Sequence, residues 1–386
     1  MRKQGYIILT LLIIALGNQN CKEVYQPKAV QTNPNLLVVD GILISGNDSS
    51  IITLSRTRTI SDETPSIKEL GAQVSVLSVS GVEYPFIEEG NGRYAVGLLL
   101  LDTTQQYQLK IVTGDGNEYR SEFGKVYTSP PIDSVYWAQD SSSNVHVYLN
   151  THDPSNNTHY YRWDYTESWE YHSNYFSALE YQANGVIDFR PATDQIFRCY
   201  QSQSSSSIEV VSTKQLSSDL VNKYEVTVVP VGSEKISVLY SDLVRQYALP
   251  VEAYNFWKNL KRNTEQLGSL FDLQPFTELG NIKCVNDPDI KCIGFISFST
   301  LQEKRIFISK NEIYTWNYDP YYGECFLDTV KAADLDKYVT PGGPNFYELI
   351  GSVTSPSQPP PYIISSTICV DCRYHGGTTT KPSYWP

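Results

Sequence analysis

Two groups of residues in this sequence have types and spacing that could do chemistry: a carboxylate set among aromatic rings, and the cysteines. The run YYRWDYTESWEY spans Tyr160 to Tyr171. In an extended chain alternate side chains share a face. Tyr161, Trp163, Tyr165, Trp169 and Tyr171 therefore line one side, and Arg162, Asp164, Thr166, Ser168 and Glu170 the other, with Glu167 interrupting the aromatic side. One reading is a core strand covered by a second sheet. The other is a platform for a sugar or peptide, with Trp163 and Trp169 as stacking surfaces and Glu167 as the polar handle. Rings around Glu167 would also raise its pKa toward that of a general acid. That makes it the first of 42 acidic residues to nominate for a glycosidase-like pair, although so many carboxylates make any nomination easy.

The cysteines number seven. Cys369 and Cys372 form a C-x-x-C, but zinc would need a second pair at short spacing, and Cys284 and Cys292 stand farther apart in CVNDPDIKC. The turn-forming Asn286, Asp287, Pro288 and Asp289 suit a loop closed by a bridge, which predicts a Cys284–Cys292 disulfide. Cys199, Cys325, Cys369 and Cys372 then allow three connectivities, among which the sequence does not choose. The odd residue is Cys21. It follows a positive start, Arg2 and Lys3, and the apolar stretch YIILTLLIIALG, which is too short to cross roughly 30 Å of hydrocarbon and reads as an export signal. Residues 1–20 are read as a lipoprotein signal peptide and Cys21 as the lipidated residue, anchoring the chain to a membrane. Asn18, Gln19 and Asn20 replace the usual small residues before it, and cleavage after Gly17 is the competing route.

Other catalytic signatures are missing. The sequence has no G-x-S-x-G, H-E-x-x-H, phosphate-cradling or dinucleotide-binding motif. Five histidines are scattered along it, of which His146 and His152 could approach across a turn. The reading is therefore a non-enzyme with no cofactor and no metal. A formal charge of −12 argues against nucleic acid as a partner and against electrostatic adhesion to anionic lipid.

The elements that must position these residues are mainly strands. Tyrosine is abundant at 29, methionine occurs once, and short extended runs are cut by Gly, Pro, Asn and Asp. Residues 21–35 read as a tether. About seven alternating runs over residues 36–129 predict an immunoglobulin-like sandwich. TSPPIDSV marks a boundary near Pro130, after which residues 130–372 form a larger, elaborated β-sandwich with one helix near 250–266, in LPVEAYNFWKNLKRNTEQ. There Pro250 suits the first turn, and Lys258, Lys261 and Arg262 suit the last. Residues 373–386 are a C-terminal tail.

CKEVYQP, NLLVVDGILI, GNGRY, YQLKI, PPIDSV, THYYRWDYTESWEY, KRNTEQLGSLFDLQP, GNI, KRIFIS and CVDCRYHGGTTTKPSYW follow one another in this order. The series resembles a Bacteroidota lipoprotein family known only as domain of unknown function forty-two forty-nine. The resemblance covers nearly the whole exported chain, most specifically Asn263 to Pro275 and Cys369 to Trp385. It implies an outer-membrane lipoprotein lipidated at Cys21, working beside a TonB-dependent receptor, and implies no activity. Lys22 is not the aspartate that commonly retains lipoproteins in the inner membrane, and a lone Glu23 leaves the leaflet open. The expected function is an accessory or ligand-binding component in nutrient uptake. A cell-surface glycan hydrolase and a structural envelope or adhesion protein are the alternatives.

Overall fold

The computed structural model describes residues 35–58, 67–182, 185–265, 279–318, 325–339, 347–352 and 361–386. The signal peptide, Cys21 and nearly all of the tether lie outside them, as does most of the Asn263 to Pro275 stretch.

The chain is mainly β, as its alternating patterns require. Ten strands come first: β1 (Leu37–Ile44), β2 (Gly46–Arg56), β3 (Ile67–Lys68), β4 (Gln73–Ser78), β5 (Glu83–Pro85), β6 (Ile87–Gly90), β7 (Arg93–Leu99), β8 (Gln106–Val112), β9 (Glu118–Ser121) and β10 (Gly124–Tyr127). One layer is built on the antiparallel pairs β1–β2, β2–β7 and β6–β7, the other on β4–β8, β8–β9 and β8–β10. Leu37, Val39, Ile52 and Leu54 from the first layer meet Val76, Tyr107, Leu109 and Ile111 from the second in one aliphatic core.

The second sandwich follows with β11 (Ile132–Gln139), β12 (Val145–His152), β13 (Tyr160–His172), the small hairpin β14 (Leu179–Tyr181) and β15 (Ile187–Phe189), β16 (Arg198–Ser204), β17 (Glu209–Ser212), β18 (Leu220–Val229) and β19 (Leu239–Ala248). Helix α1 (Val251–Glu265) comes next and lies where the sequence predicts it. Its Phe256 and Trp257 are buried, and the Arg162 guanidinium of β13 lies 3.9 Å from the Trp257 ring.

The chain then leaves this domain. β20 (Ile282–Cys284) pairs with β9, β21 (Cys292–Ile293) lies parallel to β1, and β22 (Phe298–Ser299) lies between β1 and β10, parallel to both, joining the two layers of the first sandwich. Residues 279–299 thus belong to the first sandwich and not, as the sequence suggests, to the second. β1, β9 and β10 leave unpaired backbone groups along their edges, and the returning segment supplies partners for them. Alternation in a short strand does not encode which edge it will meet.

β23 (Leu301–Ser309) returns to the second sandwich. There β11-β12-β18 faces β16-β13-β19-β23, and β17 extends the sheet alongside the first half of β13. A third, smaller layer, not anticipated from the sequence, consists of β24 (Asp328–Val330), β25 (Tyr347–Ser352) and β26 (Tyr362–Ser366), packed with the β14–β15 hairpin around Leu335, Leu349 and Ile364. The tail is not loose. Thr378 bridges to Tyr200, and the buried Trp385 donates its indole N–H to Glu170 at 3.1 Å, so residues 373–386 strap the outer face of β13.

Candidate functional site

β13 places the residues singled out above. Trp163 and Trp169 are 0% and 5% exposed, with Tyr161 and Tyr171 buried beside them. Trp163 stacks on Tyr224 of β18 at 4.6 Å and on Tyr161 at 5.6 Å. The aromatic face is therefore the core of the second sandwich and not an open platform. The alternation that would have displayed the rings to a ligand also lets a facing sheet cover them, and burying such large apolar surfaces wins.

Glu167 lies inside that core at 6% exposure. Lys235, carried by the single turn Glu234–Ile236, brings its Nζ to 2.5 Å from Oε2, and the Tyr240 hydroxyl donates to Oε1 at 2.9 Å. The Lys235 ammonium also lies 5.4 Å from the Trp169 ring. Directly across the ladder, Asp242 of β19 is the register partner of Glu167, which puts both carboxylates on one face. Asp242 is fully buried, and neither of its oxygens meets a donor. Burial first, and then the charge of Glu167, push its pKa well above the ordinary carboxylate range, which favours its protonated form. The sequence shows it as one acid among the inward positions Tyr240, Asp242 and Val244, a signal that could have been read. A pair of facing carboxylates is thus present, but at 6% and 0% exposure it is closed to substrate.

The cysteines divide differently from the expectation. Cys199 is bonded to Cys372 and Cys325 to Cys369, so the two cysteines of the C-x-x-C take separate partners. The expected Cys284–Cys292 bridge is not made, and both are buried thiols. Cys284 ends β20 opposite Tyr119, while Cys292 begins β21 opposite Leu37. Each is fixed by its own ladder and packs as a small apolar residue in the first core. Burial pushes the Cys292 thiol up to about 12, which leaves it unreactive. Both line a cavity of about 390 Å³ with Leu279, Ile282, Pro288 and Ile290.

A different surface forms around the Cys325–Cys369 bridge. The Tyr175 N–H donates to the Cys369 carbonyl at 3.0 Å and its hydroxyl to the Cys325 carbonyl at 2.8 Å, which fixes the chain after β13 against the bridge. Ser365 Oγ donates to the Phe326 carbonyl at 2.6 Å, and the His375 ring bonds the Ile368 carbonyl at 2.9 Å. Phe176, Phe326, Leu327, Ile368 and Tyr374 stand next to these anchored atoms, each between 41% and 66% exposed. Only the odd cysteine count and the closing C-x-x-C hint at this region in the sequence.

The two histidines reach one face of β12 but not each other. His146 lies between Asp140 and Glu225, at 3.2 and 2.7 Å, and His152 pairs with Asp133 at 2.8 Å. Among the described residues no three His, Cys, Asp or Glu side chains are grouped to hold a metal, and no helix is long and apolar enough to cross a membrane.

Among solved structures, the chain is similar to a two-domain fibronectin type III segment from chicken tenascin, at 12% identity over 55% of this chain and 89% of that one, with a TM-score of 0.15. It is similar at 11% identity to a chain of a cytokine receptor complex, over 55% and 90% of the two chains, with a TM-score of 0.18. A cycloalternan-degrading enzyme from Trueperella pyogenes matches at 10% identity over 70% of this chain and 32% of its own, with a TM-score of 0.15. No curated protein matches the chain. One family model does, over residues 22–305, which takes in the first sandwich with its returning strands and the second as far as β23, and leaves the Cys325–Cys369 bridge and the tail outside. By that match, the chain belongs to the family described as Domain of unknown function (DUF4249).

Proposed function

We propose that this protein works by binding, as a lipid-anchored accessory component of the outer membrane that partners a TonB-dependent receptor in nutrient uptake. The observation that carries the reading is the apolar surface around Cys325–Cys369. Five large apolar side chains stand exposed on a backbone tied down by a disulfide and by main-chain hydrogen bonds. Exposed apolar side chains are material for a protein interface, and a pre-ordered backbone lowers the entropy lost on docking. The anchor at Cys21 and the receptor partnership come from the sequence and the family resemblance. The facing carboxylates favour the glycan hydrolase in one respect, but their burial weighs against it.

The test is a detergent pull-down of the tagged protein from its own membranes. A β-barrel receptor should be recovered with the wild type and reduced at least tenfold with Phe326→Ser/Leu327→Ser, while fatty-acid labelling marks the wild type and spares Cys21→Ala. Undiminished recovery with the double variant would remove the assigned face. A purified protein that cleaves a glycan, and stops doing so in a folded Glu167→Gln variant, would establish the hydrolase instead.

A further inference from the structure

The second sandwich carries a solvent-facing aromatic row on the sheet opposite the one the sequence suggested. Along β12 the inward positions are Val145, Val147, Leu149 and Thr151, which turns His146, Tyr148 and Asn150 outward. Register places Tyr136 of β11 directly opposite Tyr148, and the two rings lie 5.6 Å apart. The His146 ring, two residues along β12, lies 5.9 Å from Tyr148, its plane within 7° of the tyrosine's. No described residue bonds the hydroxyl of Tyr136 or Tyr148, and the exposed Lys223 ammonium lies 5.0 Å from the Tyr148 centroid, a cation from the solvent side resting on an available ring face.

The surround of this row distinguishes between possible occupants. Its carboxylates already have cationic neighbours: Asp140 and Glu225 share the two ring nitrogens of His146, the Lys223 ammonium stands nearby over Tyr148, and His152 is paired with Asp133. The two acids raise the His146 pKa, in keeping with a ring that donates to both. With Lys223 set against the second of the two acids at His146, the patch carries no strong net charge of either sign to favour a basic peptide or an anionic chain. What remains is two tyrosine rings beside the ion-paired His146, edged by hydrogen-bonding groups of both senses: the two tyrosine hydroxyls, Asn150, Ser134, Lys223, and the outer lone pairs of Asp140 and Glu225. A neutral pyranose has the complementary surface, with C–H groups on its face and hydroxyls at its rim.

We propose that the outer face of the three-stranded sheet, centred on Tyr136, Tyr148 and His146, binds a neutral oligosaccharide through stacking on the tyrosine rings. This goes beyond the receptor partnership proposed above and does not depend on it, because the site is complete within one chain. No bond is made or broken, and Lys223 swings aside to uncover Tyr148.

Calorimetric titration of the purified, folded protein with maltoheptaose, cellohexaose, xylohexaose and laminarihexaose tests this directly. At least one should bind in the micromolar to millimolar range. Tyr148→Ala and Tyr136→Ala should each weaken it about tenfold with little change in melting temperature. Tyr148→Phe should keep most of the affinity, and Lys223→Ala should keep or improve it. Failure of all four sugars at millimolar concentration overturns the proposal, as does binding that survives Tyr148→Ala in a folded protein, or a response confined to charged oligomers such as polygalacturonate. None of these outcomes bears on receptor pull-down, so the two readings fail separately.

Discussion

The two sandwiches solve the same packing problem with different materials. The first is filled almost wholly by Leu, Val, Ile and Tyr, and its two cysteines stay reduced in the core. The second is filled by Trp163, Trp169, Trp316 and the three buried tyrosines Tyr161, Tyr171 and Tyr240, and within them it encloses Glu167, Asp242 and Gln246. A disulfide from Cys199 to Cys372 and the tail strap lie across that second core. Aliphatic burial is non-directional and tolerates a core closed by strands from far along the chain. A core holding charge is different, because each polar atom needs its partner in place, and cross-links that keep the layers in register matter more.

The largest expected break in this contrast is loss of the Cys199–Cys372 bond. It spans 173 residues, so replacing both cysteines by alanine should cost about 4 kcal/mol of stability. Urea unfolding followed by tryptophan emission checks this, since Trp163, Trp169 and Trp316 all belong to the second core. A loss shared equally by the first sandwich would dissolve the distinction.

A smaller and opposite effect is expected from Asp242→Asn. With its folded pKa raised, Asp242 keeps a proton that the unfolded chain gives up near pH 4. Its contribution is therefore fully present below pH 4 and is lost as pH rises toward the raised value, by about 1.4 kcal/mol per pH unit. Asparagine imitates the protonated form, so the variant should flatten the stability–pH profile above pH 4 and raise the melting temperature at pH 7. An unchanged slope would mean that Asp242 is charged in the folded protein.

The smallest effect should come from the first sandwich. Cys284→Ala and Cys292→Ala should each cost about 1 kcal/mol through lost packing, and a reducing agent should not change the midpoint of a protein already lacking the Cys199–Cys372 and Cys325–Cys369 bridges. A mass shift of two protons on reduction of that protein would show that the thiols do pair.

Much of the architecture was legible because alternation is a local property. The inward set of β13, the inward valines of β4 and the helix after Pro250 could each be read from a dozen residues, since pleat and helical pitch fix which side chains share a face. The proline-marked run Thr128 to Pro131 lies between β10 and β11, and the structure ties it down: Gln246 Nε2 donates to the Pro130 carbonyl at 2.7 Å while Gln246 Oε1 accepts from the Trp163 indole at 3.0 Å. The candidate site was less legible. Trp163, Glu167 and Trp169 were found as a group, but whether a second sheet would cover them was not written in their spacing, and Tyr136 and Tyr148 gave no sign that they would meet on an open face.

The sequence by itself determined the strand-rich class, the helix, which side chains of β13 share a face and the family, because these follow from periodicity and from motifs read in order along the chain. Only the tertiary structure decided that residues 279–299 return to complete the first sandwich, that Cys199 joins Cys372 while Cys284 and Cys292 stay apart, and that Asp242 faces Glu167. Each of these depends on two segments distant in sequence meeting at one edge or in one core. That meeting is settled by which unpaired backbone and apolar surfaces remain to be covered once the local elements have formed.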